Sequence, residues 1–226
     1  MDQQMIAAYG QTAPSARMQP HGNKICRVAL QQGYDLMAKQ GSMIAYTGFI
    51  TFEPWRDSRS QRMMGSVVGE RLGLMKCTGQ GDLYLADYGA DVVMMQLNND
   101  GISVNAANVL AFDAQLEHKI ESISGLVNKF SGNGMFNIAI RGTGWVAITT
   151  QGTPVVLNPG ERETCVDPDA LVAWSTGLRV KSKRSARLGA LVGRGTGEAM
   201  QVAFTGAGYV VVQPSEDSTD RFHFRG

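Results

Sequence analysis

The sequence predicts a single all-β domain, a pseudo-threefold β-sandwich or β-prism assembled from three copies of one glycine-marked unit. Three observations carry that reading: a Gly-x-Gly motif that recurs at a nearly fixed interval, 27 glycines in 226 residues, and apolar segments rich in β-branched and aromatic residues. No stretch of helical length carries a 3.6-residue apolar stripe between caps. A chain of this size buries about 70% of its unfolded surface, and 43% hydrophobic residues supply the core without metal or disulfide. Glycine at about 12% of the chain, against a usual ~7%, asks for many corners with positive φ.

The repeat begins at Gly79-Gln80-Gly81-Asp82-Leu83-Tyr84-Leu85 and returns at Gly142-Thr143-Gly144-Trp145-Val146-Ala147-Ile148 and Gly206-Ala207-Gly208-Tyr209-Val210-Val211-Val212. The second glycines stand 63 and 64 residues apart. Likeness extends past the motif, because Gly89-Ala90-Asp91-Val92-Val93 matches Gly152-Thr153-Pro154-Val155-Val156, and Val109-Leu110-Ala111-Phe112 matches Leu171-Val172-Ala173-Trp174. Further glycine corners lie upstream at Gly69 to Gly73, Gly132 to Gly134 and Gly193 to Gly197. Gly79, Gly81, Gly142, Gly144, Gly206 and Gly208 are therefore expected to be structural, holding backbone conformations closed to other residues.

This pattern sets the expected organisation: an N-terminal arm over 1–23, one three-repeat domain over 24–213, and a tail over 214–226. The repeat cores fall at approximately 64–123, 125–180 and 187–213, the last completed by 24–52. Completion is suggested by Ile25-Cys26-Arg27-Val28 and Leu36-Met37-Ala38, which resemble Ile102-Ser103-Val104 and Val109-Leu110-Ala111. Met43 to Phe52 reads as strand. The best helical candidate, Ala111 to Ile120, reads as strand-turn-strand, since its sister Trp174-Ser175-Thr176-Gly177-Leu178 contains a glycine. Gln11 to Asn23, Glu53 to Arg62 and the tail from Pro214 read as loops.

A formal net charge of +1 excludes a strong overall field for nucleic acid or an anionic membrane. Cys26, Cys77 and Cys165 are too few for a disulfide framework and are expected to be reduced, buried strand residues in a cytoplasmic protein. Met1 to Gly10 lacks the features of a secretory signal, and no run is long enough to span a membrane as a helix. His21, His118 and His223 stand far apart in sequence, so no metal and no other cofactor is expected. No Gly-x-Ser-x-Gly elbow is present, and no catalytic residue is assigned. Gly193-Arg194-Gly195-Thr196-Gly197 has the backbone donors of a phosphate cradle, but its two sister corners favour a structural turn.

The strongest local charge feature is Arg179, Lys181, Lys183, Arg184, Arg187 and Arg194, with no acidic residue between Asp169 and Glu198. In a strand Arg179, Lys181 and Lys183 share one face. Such a stripe either protects an edge strand from further pairing or binds an anionic partner such as nucleic acid or anionic lipid. Five phosphate contacts would give a salt slope of roughly −4.5 on duplex DNA, while Trp174 alone offers a stacking ring nearby. The tail segment Arg221-Phe222-His223-Phe224-Arg225 alternates like a strand that could add to a sheet edge.

Three segments, Gly41-Ser42-Met43-Ile44-Ala45-Tyr46-Thr47-Gly48, Lys76-Cys77-Thr78-Gly79-Gln80-Gly81-Asp82-Leu83-Tyr84-Leu85-Ala86 and Gly142-Thr143-Gly144-Trp145-Val146-Ala147, together resemble the altered inheritance of mitochondria protein 24 family over roughly residues 24 to 213. The resemblance implies a pseudo-threefold architecture similar to the tryptophan RNA-binding attenuation protein-like (double-stranded β-helix) fold, and it brings no catalytic residues. It links a fungal mitochondrial member to inner-membrane organisation; the absence of a transit-type start here points instead to a bacterial cytoplasmic member. The expected function is a non-enzymatic structural or interaction module, a homo-oligomer or a subunit of a larger assembly. The alternative is a binding module for an anionic ligand, using the basic stripe.

Overall fold

The computed structural model describes residues 3–10, 15–55, 73–122, 136–184 and 200–214. A short helix α1 (Gln3–Tyr9) opens the chain, formed by residues of good intrinsic helix propensity such as Gln4, Met5 and Ala8. The rest is strand and turn. Met18–His21 (β1) pairs with Ile25–Leu30 (β2), so part of the expected Gln11–Asn23 loop is a hairpin strand closed by Gly22 at φ 63.

Leu36–Lys39 (β3), Met43–Tyr46 (β4) and Phe49–Pro54 (β5) follow, and Leu74–Leu85 (β6) spans them all. The first half of β6 pairs with β3 and β5, and the second half with β2 and β4. Next come Asp91–Asn105 (β7), Val109–Asp113 (β8), Glu117–Ser122 (β9) and Phe136–Thr150 (β10). The first half of β10 pairs with the end of β7 and with β9, and the second half with the start of β7 and with β8. Last are Val155–Leu157 (β11), Thr164–Val166 (β12), Leu171–Ser175 (β13), Arg179–Arg184 (β14), Met200–Thr205 (β15) and Val210–Val212 (β16). Here β15 pairs with β12 and β14, while β16 pairs with β11 and β13.

Ala111 to Ile120 is strand, turn and strand, as its glycine-containing sister indicates. The pairings make one 13-stranded antiparallel sheet, ordered β1-β2-β6-β3-β8-β10-β7-β13-β16-β11 with β4, β5 and β9 as side branches, and a three-stranded sheet ordered β12-β15-β14. Two cross-pairings link the successive groups: β8 with β3, and β13 with β7.

The Gly-x-Gly motifs are where the long strands bend. Gly79, Gly142 and Gly206 have φ 124, 123 and 115, and Gly81 and Gly208 both have φ 148. Gly144 departs from expectation, having no positive φ. Its constraint is space, since a Cβ there would lie 2.9 Å from Asp113 Oδ2 and 3.2 Å from Leu116 Cγ.

Three apolar cores fill the spaces between the folded halves. Leu36, Ile50, Cys77, Leu83 and Leu85 belong to one, Ile102, Val104, Phe112, Ile138 and Ile140 to another, and Trp174, Val202, Phe204 and Val210 to the third. Each fully buried large aliphatic or aromatic side chain contributes about 1.5–3 kcal/mol. Val146 to Ile148 is buried without alternation because β10 is covered from both sides. Polar groups at the strand ends are also paired: Asn108 Nδ2 donates to Thr149 O at 2.7 Å and to Gln213 Oε1 at 3.3 Å, and Gln151 N donates to that same oxygen at 3.0 Å.

Candidate functional site

Strand β14 forms one edge of the three-stranded sheet and carries the basic stripe. Arg179, Lys181 and Lys183 point to one exposed face, while Val180 between them packs against the third core. The alternation expected of a strand is seen at Val180, while Ser182 is exposed like the lysines beside it. Lys183 forms an ion pair with Glu163, and the hydrogen bond to that carboxylate raises the lysine pKa above its ordinary value. The stripe is therefore less positive than its sequence. Arg184 ends the strand, and Arg187 and Arg194 lie outside the described residues, as do the Gly193 to Gly197 corner and the Arg221 to Arg225 segment.

The other β-sheet edge with unusual chemistry is β4, which sequence reasoning assigned simply to a strand. All four of its residues are exposed, with Met43 at 38%, Ile44 at 53% and Tyr46 at 47% relative exposure, and Phe49 beyond them at 90%. A strand with apolar side chains and no charge, open on one edge among the described residues, lacks the usual defences against pairing with another chain. Tyr46 stacks edge-on against Phe52, ring centroids 5.5 Å apart, and is otherwise turned to solvent. Val155, Val156 and Tyr209 make a second exposed apolar group on β11 and beside β16.

The strands β4, β8 and β13 occupy the same register on their spanning strands. Tyr46, Phe112 and Trp174 lie opposite Leu83, Val146 and Val210, each two residues after the second glycine of its motif. Ala45, Ala111 and Ala173 take the next position, and a register shift follows in all three strands. Their surroundings differ. Phe112 is 0% and Trp174 5% exposed, each inside an apolar core, and their strands are also paired on the second edge, β8 with β3 and β13 with β7. Among the described residues β4 pairs only with β6. Sequence comparison could have found this strand, since Met43-Ile44-Ala45-Tyr46 shares the apolar-apolar-Ala-aromatic pattern of Val109-Leu110-Ala111-Phe112 and Leu171-Val172-Ala173-Trp174.

The thiols divide by location. Cys26 and Cys77 are buried, and burial pushes both pKa values up to about 12, so they stay protonated and inert at neutral pH. Cys165, expected to be buried, is exposed instead. It sits in the short edge strand β12, opposite Ala203 on β15, whose other side faces Lys181 of β14. Its side chain faces away from the third core because its neighbour Val166 takes the inward position.

Among the described residues no group of three or more His, Cys, Asp or Glu is placed to hold a metal. His118 is held between Trp55 and Phe112, with ring centroids at 5.0 and 5.1 Å, and its Nδ1 lies 3.2 Å from Leu116 O. His21 makes an edge contact with Tyr84 at 6.4 Å, and His223 lies outside the described residues. No described helix is long and apolar enough to cross a membrane.

Comparison with solved structures finds the same fold in protein SPYM3_0169 from Streptococcus pyogenes, determined by X-ray crystallography, with a TM-score of 0.66 at 22% sequence identity, covering 88% of this chain and 92% of that one. No curated protein matches the chain. The family described as mitochondrial biogenesis AIM24 matches residues 17–215, and the chain belongs to that family.

Proposed function

We propose that the protein is a non-enzymatic scaffold that acts by self-association, built from three copies of a five-strand unit at about 25–85, 91–150 and 155–212. In each unit the strands meet the spanning strand in one order: second half, first half, second half, first half, followed by the spanning strand itself. The near-identical φ angles of the first glycines support the same reading. The units are read as pseudo-threefold repeats of the attenuation-protein type, with two of the three unit-to-unit contacts formed within the chain. Three unpaired thiols fit a reducing, cytoplasmic setting.

The observation that carries the functional reading is the exposed apolar strand β4, whose two counterparts are buried and paired on both edges. Among the described residues nothing pairs with its free edge, and a partner molecule would bury it. The basic face of β14 is read as protection of a second sheet edge, in keeping with the ion pair that engages Lys183. Multi-angle light scattering at micromolar concentration is expected to give a multiple of 24.4 kDa. A strictly monomeric mass up to about 100 μM, a concentration at which even weak specific contacts associate, would contradict the proposal.

A further inference from the structure

Each of the strands that covers a sister of β4 has one origin: it pairs with the first half of its own spanning strand. That holds for β3, which covers β8, and for the end of β7, which covers β13. A third strand has the same position, and it is β12, paired with β15 on one side and open on the other among the described residues. Among the described residues there is thus one acceptor strand with a free edge, β4, and one covering strand left unused, β12.

We infer that β12 of a second copy pairs antiparallel with β4 of the first, continuing between molecules the contact that joins the units within one. This inference rests on the self-association proposed above and names the surface that mediates it. The two internal contacts also fix the register. Ala38 pairs with Ala111 and Val104 with Ala173, and Ala38 and Val104 lie opposite Met75 and Ile138, four residues before the first glycine of each motif. The corresponding position of the third unit is Val202, which faces Val166. Val166 is therefore assigned to Ala45, and Cys165 to Tyr46. Ile44 then lies against the neighbouring molecule as Leu110 and Val172, both 0% exposed, lie against the neighbouring unit. Each copy offers one β4 and one β12, so two molecules can join reciprocally or many can join head to tail.

The register provides its own test. Directly opposed residues of an antiparallel pair have Cβ atoms about 4.5–5.5 Å apart, within a small adjustment of disulfide geometry. Tyr46→Cys, which leaves the native Cys165 in place, is expected on mild oxidation to form disulfide-linked dimers or a ladder of multiples on a non-reducing gel, with the link absent when Cys165→Ala is added. Tyr46 is half exposed, so the variant should fold; Ile44→Lys provides an independent measurement and is expected to raise the dissociation constant at least roughly tenfold. A disulfide within single chains would show that β12 closes on its own β4, and would overturn the inference. Oligomers of normal mass with no crosslink, and unaffected by Ile44→Lys, would overturn it while sparing the self-association proposal. A monomeric wild type would remove both.

Discussion

Gly81→Val is expected to destabilise the protein by at least about 4 kcal/mol, lowering the denaturant midpoint sharply or preventing accumulation of folded protein. Two costs act together there. Gly81 has φ 148, a conformation that side chains with a Cβ strongly avoid. A Cβ would also overlap the carbonyl of Thr47, where the turn between β4 and β5 crosses the bend of β6. The neighbouring atom is backbone, so the clash cannot be relieved by a rotamer change. Gly206, in contrast, has room for a Cβ in ordinary van der Waals contact, the nearest atom being Leu178 Cδ2 at 3.7 Å. Gly206→Ala should therefore cost only the conformational part, about 1–3 kcal/mol. Equal effects at the two sites, measured by urea unfolding, would show that close packing of the backbones is not what fixes Gly81.

The second large effect is expected at Asp113. Its carboxylate accepts the guanidinium of Arg17 on one oxygen and the backbone N–H of Trp145 on the other at 2.8 Å, with the side chain only 5% exposed. Arg17 also donates to Tyr34 O at 2.9 Å, tying the N-terminal strand region to the β8 end. Asp113→Ala leaves the Trp145 N–H and a partly buried guanidinium without their acceptor and should cost about 2–4 kcal/mol, Arg17's 21% exposure placing it below a fully buried pair. A double-mutant cycle with Arg17→Ala should yield a coupling above about 1 kcal/mol. A coupling near zero would mean that water replaces the ion pair without loss.

How much of this was legible in the sequence depends on whether the feature is local. Strand identity, the turn at Ala114 and Gln115, and the bends at Gly79, Gly142 and Gly206 follow from residue preferences acting over a few positions, and the sequence shows them. The facing of Arg179, Lys181 and Lys183 follows equally from the two-residue period of a strand. Pairings between distant segments are another matter. Arg17 and Asp113 are 96 residues apart, and no spacing rule brings them together.

Exposure was misread for the same reason. Cys165 is apolar enough for a core position, but β12 has an outward face, and only the pairing with β15 shows which residue takes it. Matching Leu36-Met37-Ala38 to Val109-Leu110-Ala111 used composition alone; the register puts Met43 to Tyr46 opposite the second half of β6, as Val109 to Phe112 lies opposite the second half of β10. The sequence of β4 resembles that of two buried strands. Its exposure goes with a free edge, since among the described residues no second strand pairs with it.

Hydrogen–deuterium exchange on the peptides that cover Met43 to Tyr46 tests the central claim most directly, namely that one of three equivalent strands is left open for another molecule. At high protein concentration these amides are expected to be protected to the degree seen in Val109 to Asp113 and Leu171 to Ser175, and to lose that protection on dilution. Rapid exchange at every concentration, with the other two strands protected throughout, would contradict the account.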